Sequence, residues 1–474
     1  MAAYSEICAA THVRGEQSSE ALDHRMRCLE RRRDELAALL AVFADADERT
    51  VLHALEASEA LTPAAACVDL DAARDAHGEP DEPRLREPVA RLRADLDRAR
   101  ALRLAGHYDD ALALARVAHD EAVRLGHVPA RAETGLLLGS LLGLRGGVDE
   151  ATAALEQAFL DGLAGDQAEV AAWAAISAAH VVGFLAHRGA EGRRWGALAE
   201  ALLPRIDGDP RAAASLYANL GNIAVAEGAL DEARARFEAA LDIAESSLGR
   251  DHVLVANTAA NLAAVLRRSG DYPGALALYA RVRETLAARL GTSHPGFATL
   301  VNNHGALLQV MGDLEGAARS YREVLALADG ALSPTSPTLG HAHNNLAEVL
   351  LARGDPAAAV PHVRAAIDTW SAAHGPRHPL VGQAQLALGR LHVELAEPDA
   401  ALQALQTALE LLRDAGAAPA TIAAAQFELA RALALAHPDD LGEAIAAAQA
   451  AAAALDPGET RDAVLAWLSQ RAGP

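Results

Sequence analysis

The chain has 474 residues, 42 basic and 64 acidic side chains, and a formal net charge of −22. That balance excludes a general nucleic-acid binder, which needs a basic face to displace phosphate counterions. It contains no lysine, which excludes phosphate-loop, kinase-strand and Schiff-base chemistry that depends on a lysine amine.

Hydrophobic residues make up 51% of the chain but aromatic residues only 3%, and Ala/Leu runs are long. Ala and Leu lead the helix-propensity ranking, while strand-favouring aromatics are scarce, so the expectation is an all-α protein. In residues 1–83, Ser18-Ser19 can cap a helix that places Leu22, Met26, Leu29, Leu36, Leu40 and Phe43 on one face. The opposite face carries Arg25, Arg31, Arg32 and Asp34, and the Arg31-Arg32-Arg33 cluster reads as a solvated face among acidic neighbours. A second helix is predicted from about Glu48 to Leu61, and HGEPDEP at 77–83 reads as a linker.

Cys8, Cys28 and Cys67 lack C-x-x-C spacing and read as thiols in a reducing compartment, with one bridged pair in an exported chain as the alternative. No 18-residue apolar run free of charge occurs and no hydrophobic signal core opens the chain, so a soluble, cytoplasmic protein without a membrane partner is expected.

Helix pairs are predicted at 88–125, 129–163, 167–203 and 210–247. From 248 one 42-residue pattern is written four times, starting LGRDH at 248, LGTSH at 290, LSPTS at 332 and HGPRH at 374. Within it Asn261, Asn303 and Asn345 recur, as do Gly270, Gly312 and Gly354, and Ala275, Ala317, Ala359 and Ala401. A fixed period of this length is the signature of stacked helical hairpins. The glycines suit left-handed helix ends, and Asp271, Asp313 and Asp355 suit caps of the next helix. Pro295, Pro337 and Pro379 suit first helical turns, where no N–H donor is missed. A degenerate pair at 419–455 and a capping helix at 459–471 complete the series. The expected organisation is a helical region and linker at 1–83, a solenoid of about nine helix pairs at 84–457, and a C-terminal cap at 458–474.

The string NLGNIAVAEGALDEARARFEAAL (219–241), with Leu220-Gly221, Ala233, Phe237 and Ala240, resembles the tetratricopeptide repeat. The 42-residue period, the LGxxHP-like linkers and the pairs Asn302-Asn303 and Asn344-Asn345 resemble the kinesin-light-chain type of that repeat. Ala396 in place of the turn glycine, and Leu386-Ala387 in place of the Asn pair, depart from the pattern. The resemblance implies a right-handed α-solenoid whose first helices line a concave, peptide-binding face. Separately, ATHVRGEQSSEALDHRMRCLERR (10–32) resembles the segment that follows the catalytic domain in bacterial serine/threonine kinases with such repeats. No kinase motif accompanies it, so it implies the sensory or regulatory part of such a system, with a kinase-pathway partner.

Mapping the groove-facing positions of the repeat onto this chain gives Asn222, Asn257, Arg267, Arg268, Asn302, Gln309, His341, Asn344, Glu348, Gln383 and Arg390. Amide side chains can pair with an extended peptide backbone and arginine can fork onto a carboxylate. The plain alternative is a solvated face without a ligand. The series Asn219, Asn261, Asn303 and Asn345 reads instead as bracing between repeats. His252, His294 and His378 lie a repeat apart, His341 and His343 point to different helix faces, and HExxH is absent, so no metal or other cofactor is expected. His437-Pro438-Asp439 matches the J-domain tripeptide by letters only and reads as a turn with Asp439 as cap. No catalytic constellation stands out. The expectation is a non-catalytic scaffold that holds a peptide or partner protein.

Overall fold

The computed structural model describes residues 2–14, 18–68, 80, 82–206, 209–327, 332 and 335–471. Among the described residues no strand forms, and consecutive helices pack as pairs. Contacts divide the chain into two compact units, Met1–Arg289 and Leu290–Pro474.

Unit 1 begins with α1 (Ala2–His12), α2 (Ser19–Ala44) and α3 (Glu48–Glu59), followed by five hairpins. These pair α4 (Pro83–Leu104) with α5 (Tyr108–Leu125), α6 (Val128–Leu144) with α7 (Val148–Ala164), and α8 (Ala168–Ala178) with α9 (Gly189–Leu202). The last two pair α10 (Pro210–Ala226) with α11 (Leu230–Leu248), and α12 (Val253–Arg268) with α13 (Tyr272–Arg289). Unit 2 holds four more: α14 (Pro295–Val310) with α15 (Leu314–Ala326), α16 (Pro337–Ala352) with α17 (Pro356–His374), α18 (Pro379–Glu394) with α19 (Pro398–Asp414), and α20 (Pro419–Ala436) with α21 (Gly442–Ala454). A final helix, α22 (Glu459–Arg471), packs on α21.

The hairpins close for readable reasons. Gly270, Gly312 and Gly354 have φ of 84°, 84° and 81°, a conformation in which a side chain would meet the next carbonyl. Asp271, Asp313 and Asp355 then accept from the backbone N–H groups of Gly274, Gly316 and Ala358 at 3.0, 2.8 and 3.0 Å, capping the second helices. His252, His294 and His378 cap the first helices: each Nδ1 accepts from the backbone N–H two residues on, at 3.1, 3.0 and 3.3 Å. The repeat-spaced histidines therefore have a structural use as N-caps.

Within each hairpin a large side chain of the second helix fills a notch in the first. Phe237, Tyr279, Tyr321, Val363 and Leu405 recur every 42 residues, and all are buried. Facing Phe237 is Gly221, where a Cβ would lie 2.9 Å from the ring; facing Tyr321 is Gly305, where it would lie 2.8 Å away. Burying each such side chain stabilises the stack by about 2–3 kcal/mol. Ala275, Ala317, Ala359 and Ala401 are fully buried where paired helices approach.

Asn219 Nδ2 donates to the Ile176 carbonyl at 3.2 Å, and Asn345 Nδ2 to Asn302 Oδ1 at 3.2 Å. Each bond spans 43 residues and so braces one first helix against the preceding one. Ala168–Leu185, formed by α8 and the π-helical turn Ala179–Leu185, is long and apolar enough by composition to cross a membrane (mean hydropathy 1.5). In this structure 61% of that segment is buried, with Val170, Ile176, Val181 and Val182 in the core of unit 1.

Four expectations need correction. The apolar face assigned to α2 is only partly inward: Leu22, Met26, Leu29 and Phe43 are half-buried, but Leu36 and Leu40 are 45% and 55% exposed, while Arg31, Arg32 and Glu35, expected in solvent, are largely covered. Neighbouring acidic groups, described below, draw Arg31 and Arg32 inward. Cys28 and Cys67 are bonded to each other with Cα atoms 5.6 Å apart, leaving Cys8 as the free thiol. A structural disulfide of this kind is at odds with the reducing setting expected for the thiols. In the last hairpin Asp439 is not the cap of α21: the N-cap position is Leu441, which has no capping side chain, and Asp440 accepts from Gly442 N–H at 3.1 Å. Asn302, placed in the groove from sequence, is 8% exposed and held by Asn345, so it belongs to the bracing between hairpins. The 77–83 linker falls largely outside the described residues.

Candidate partner-binding surfaces

In unit 1 the N-terminal helices lie along the face formed by the first helices of the hairpins. Glu59, at the end of α3, accepts from the backbone N–H of Val253 at 3.3 Å. The positive end of the α12 dipole favours that carboxylate. His252 lies 3.7 Å from Glu59, and the Arg289 guanidinium pairs with it. Arg211, on the first turn of α10, donates to the Ala60 carbonyl and to Thr62 Oγ1, both at 3.2 Å. At the other end of α3, Thr50 Oγ1 lies 3.0 Å from His107 Nε2 and Asp47 lies 3.3 Å from it. The Cys28–Cys67 bond ties the short 3-10 turn Ala64–Val68, which follows α3, back to α2.

The inward face of α2 carries Arg31 and Arg32. Burial works against the charge of Arg31, but the carboxylates of Glu133, Glu35, Asp97 and Glu169 outweigh it and raise its pKa. Glu133 is 1% exposed and accepts from Arg93 at 3.3 Å and from Gln167 at 3.2 Å. Burial pushes the Asp97 carboxyl up, although Arg100 and Arg31 pull it down. The first-helix face of unit 1 is thus acidic at its centre and meets an arginine pair from its own N-terminal helix.

Beneath α2 and α3 lies a cavity of about 960 Å³ whose wall includes Asn257 and Trp173. Of the other residues expected to face a ligand in unit 1, Asn222 is half-buried on α10. Arg267 is held beside the buried Tyr279 hydroxyl, which burial pushes up to about 12 while Arg267 pulls the other way. Arg268 is exposed, with Nη1 3.4 Å from the Val225 carbonyl.

Unit 2 presents a different surface. Gln309 on α14 accepts from the Tyr321 hydroxyl at 2.8 Å and donates to Glu348 at 3.3 Å. Asn344, one turn before Glu348 on α16, donates to its other oxygen at 3.1 Å. His341 is exposed and stands edge-on to Trp370, with ring centroids 5.2 Å apart. Arg390 on α18 is exposed and reaches Glu428 at 3.2 Å; Gln383 on the same helix is also exposed. Gln309, Asn344 and Glu348 therefore form one polar cluster across two first helices, while Arg390 is engaged with α20.

Residues 211–288, 296–368 and 339–414 match the tetratricopeptide repeat family. The hairpins within those residues, α10 to α19, are of the tetratricopeptide type. No curated protein matches the chain. Among solved structures, the apo form of RapI superposes with a TM-score of 0.53 over 77% of this chain and 97% of that one, at 12% identity. A putative kinesin light chain from Podosopora anserina, described as having nearly identical TPR-like repeats, covers 44% of this chain and 98% of its own at 19% identity and a TM-score of 0.38. BtubC (BKLC) from P. vanneervenii covers 62% and 94% at 20% identity and a TM-score of 0.34. These are likenesses of fold. Against the tetratricopeptide pattern, the sequence-derived ladder was half visible: the Gln309–Glu348–Asn344 cluster follows from first-helix positions. The covering of unit 1 by α2 and α3 does not, because nothing in a repeat register indicates a partner from outside the repeats.

Proposed function

We propose that the chain is a non-catalytic protein-interaction module. In this reading the first-helix face of unit 2 binds an extended segment of a partner protein. The observation that carries it is the Gln309, Asn344 and Glu348 cluster, in which two amides and a carboxylate from neighbouring helices converge at the surface. Such a cluster can exchange its internal bonds for those of a peptide backbone with little loss, since amides both donate and accept. Exposed His341 and Arg390 add an imidazole and a cation along the same face. Tetratricopeptide repeats support a partner of protein or peptide character, and a scaffold role follows from fold alone only at that level. A kinase-linked role rests on residues 10–32 alone, and α2, which contains most of them, packs against α4 of the first hairpin.

The test is selection of a random peptide library on the intact immobilised chain, repeated with Asn344→Ala and Glu348→Gln together. Sequences enriched on the parent chain and lost on an equally stable variant support the reading. Equal enrichment on both removes this surface from consideration.

A further inference from the structure

The cavity of unit 1 has an uneven wall. Leu136, Val170, Trp173 and Ile176 supply apolar surface from α6 and α8. The charged groups around it are mostly matched: Arg32 pairs with Glu35 at 2.8 Å, Arg100 with Asp97 at 3.1 Å, and Arg211 with Asp209 at 3.2 Å. Two groups are not. Arg103, in the last turn of α4, makes no ion pair or hydrogen bond among the described residues, and its Nε is closed off from solvent. His180 projects from the π-helical turn and its Nδ1 is likewise buried without a partner. π-Turns of this kind often mark functional positions, because the widened turn re-aims one side chain.

The Arg103 side chain is half-buried at this wall. Burial lowers the pKa of Arg103, and the like charge of Arg100 lowers it further. A cation left without a counter-charge beside apolar walls destabilises a fold unless something else supplies the charge. No carboxylate is among the charges that act on Arg103, and Asp97 and Glu35 on the same wall are committed to Arg100 and to Arg31 and Arg32. Arg103 is thus a cation free to meet an anion from outside, and the apolar wall dictates what that anion is attached to.

We infer that the unit 1 cavity binds a carboxylate carried on an apolar body, the carboxylate at Arg103 and the apolar part against Leu136, Trp173 and Ile176. At about 960 Å³ the cavity is at the upper end of small-ligand pockets. It can take a medium-chain carboxylic acid or the C-terminus of a short apolar peptide, which share this chemistry. This site is separate from the surface proposed for unit 2, and either can fail alone.

The probes are decanoate beside 1-decanol, and an Ala/Leu pentapeptide with a free C-terminus beside its C-terminal amide. Binding to the full chain is read by calorimetry and by the change in Trp173 emission, identified by its loss in Trp173→Phe. At least one acid should bind about tenfold or more tighter than its neutral analogue. In Arg103→Met that preference should vanish while the neutral analogue binds as before. The variant should melt no lower than the parent, because the substitution removes an uncompensated charge and keeps the length of the side chain. Preference for decanoate assigns the site to small acids, and preference for the free peptide assigns it to chain termini. Equal binding of acid and neutral analogue overturns the inference. So does a preference retained in Arg103→Met, or no binding of either acid up to about 1 mM.

Discussion

In unit 1 the first-helix face is covered by the N-terminal helices of the same unit, which bring Arg31 to Glu133 and Glu169 and set Glu59 against the start of α12. In unit 2 the corresponding helices leave His341, Glu348, Gln383 and Arg390 exposed. The hairpins α12–α13 of unit 1 and α14–α15 and α16–α17 of unit 2 are built by one set of rules: a left-handed glycine, an aspartate cap and a buried side chain of the second helix against the first. What differs is the treatment of polar groups. Unit 1 buries Glu133 and Asp161 almost completely and pairs both, whereas in unit 2 Glu428 is the comparable carboxylate among the described residues and the other ion pairs lie nearer the surface. A repeat register therefore specifies the scaffold, and residues outside the register specify which faces remain available.

The sharpest way to break that comparison is to remove one partner of a buried pair. Arg131 makes a two-bond fork with Asp161, at 2.6 and 2.5 Å, and Asp161 is 3% exposed. Arg131→Ala leaves that carboxylate buried with only Gln157 and is expected to destabilise unit 1 by about 3 kcal/mol, measured by urea denaturation. In unit 2 Arg377 pairs with Glu410 and Asp414, but all three side chains are more than half exposed. Arg377→Ala should leave the denaturation midpoint unchanged. If the two variants behave alike, the contrast in how the units hold their charges is wrong.

The next largest effect concerns what keeps the N-terminal helices in place. The Cys28–Cys67 bond closes a segment of 39 residues. Loss of such a closure releases chain entropy equivalent to about 2–4 kcal/mol. Cys67→Ser is expected to increase hydrogen exchange through α2 and α3 while leaving unit 2 protected. Thiol titration of the unfolded, unreduced parent chain should find one reactive cysteine, Cys8.

The sequence made the repeats legible because each hairpin carries its own punctuation. The glycines, caps, prolines and buried alanines can be read without knowing any long-range contact. α2 was misjudged because its amphipathic pattern names two faces without saying which one turns inward. An apolar stripe of Leu36 and Leu40 normally wins that choice. Here acidic groups far along the chain draw Arg31 and Arg32 inward as well and leave Leu36 and Leu40 exposed, and no local pattern encodes that. Arg103 and His180 were equally silent, since an unpaired arginine looks like any other until its surroundings are known. The capping histidines were visible by spacing, but their use depended on the extended backbone just before each first helix, with φ near −70°.

A smaller effect tests unit 2 by pH. His343 Nδ1 lies 3.0 Å from His362 Nδ1, so the pair accommodates one proton between the two atoms. Burial, and then the neighbouring His362, lowers His343 to about 4 from its usual 6.5. The folded state therefore holds His343 neutral while the unfolded state takes up a proton below pH 6.5. The stability from this difference is complete above pH 6.5 and is lost as pH falls toward 4. With allowance for its partial exposure, unit 2 should lose about 1 kcal/mol between pH 7 and pH 5, and His343→Gln should flatten that slope.

The smallest expected change lies at the one turn of the 42-residue series without a glycine. Ala396 occupies the position that Gly270, Gly312 and Gly354 hold in the preceding repeats, and it adopts φ 55°. A left-handed alanine costs about 1–2 kcal/mol through its Cβ, and glycine gives back part of that gain by its greater freedom when unfolded. Ala396→Gly is therefore expected to stabilise unit 2 by about 0.5–1 kcal/mol, with the reverse loss for Gly354→Ala, both read from thermal melts. The alanine is held left-handed by its neighbours: Glu397 N–H donates to the His392 carbonyl at 2.9 Å, and its carboxylate meets His392 Nδ1 at 2.7 Å. If Ala396→Gly gains nothing, that pair rather than the backbone preference sets the turn. The hairpin rules shared by the two units would then admit a second solution.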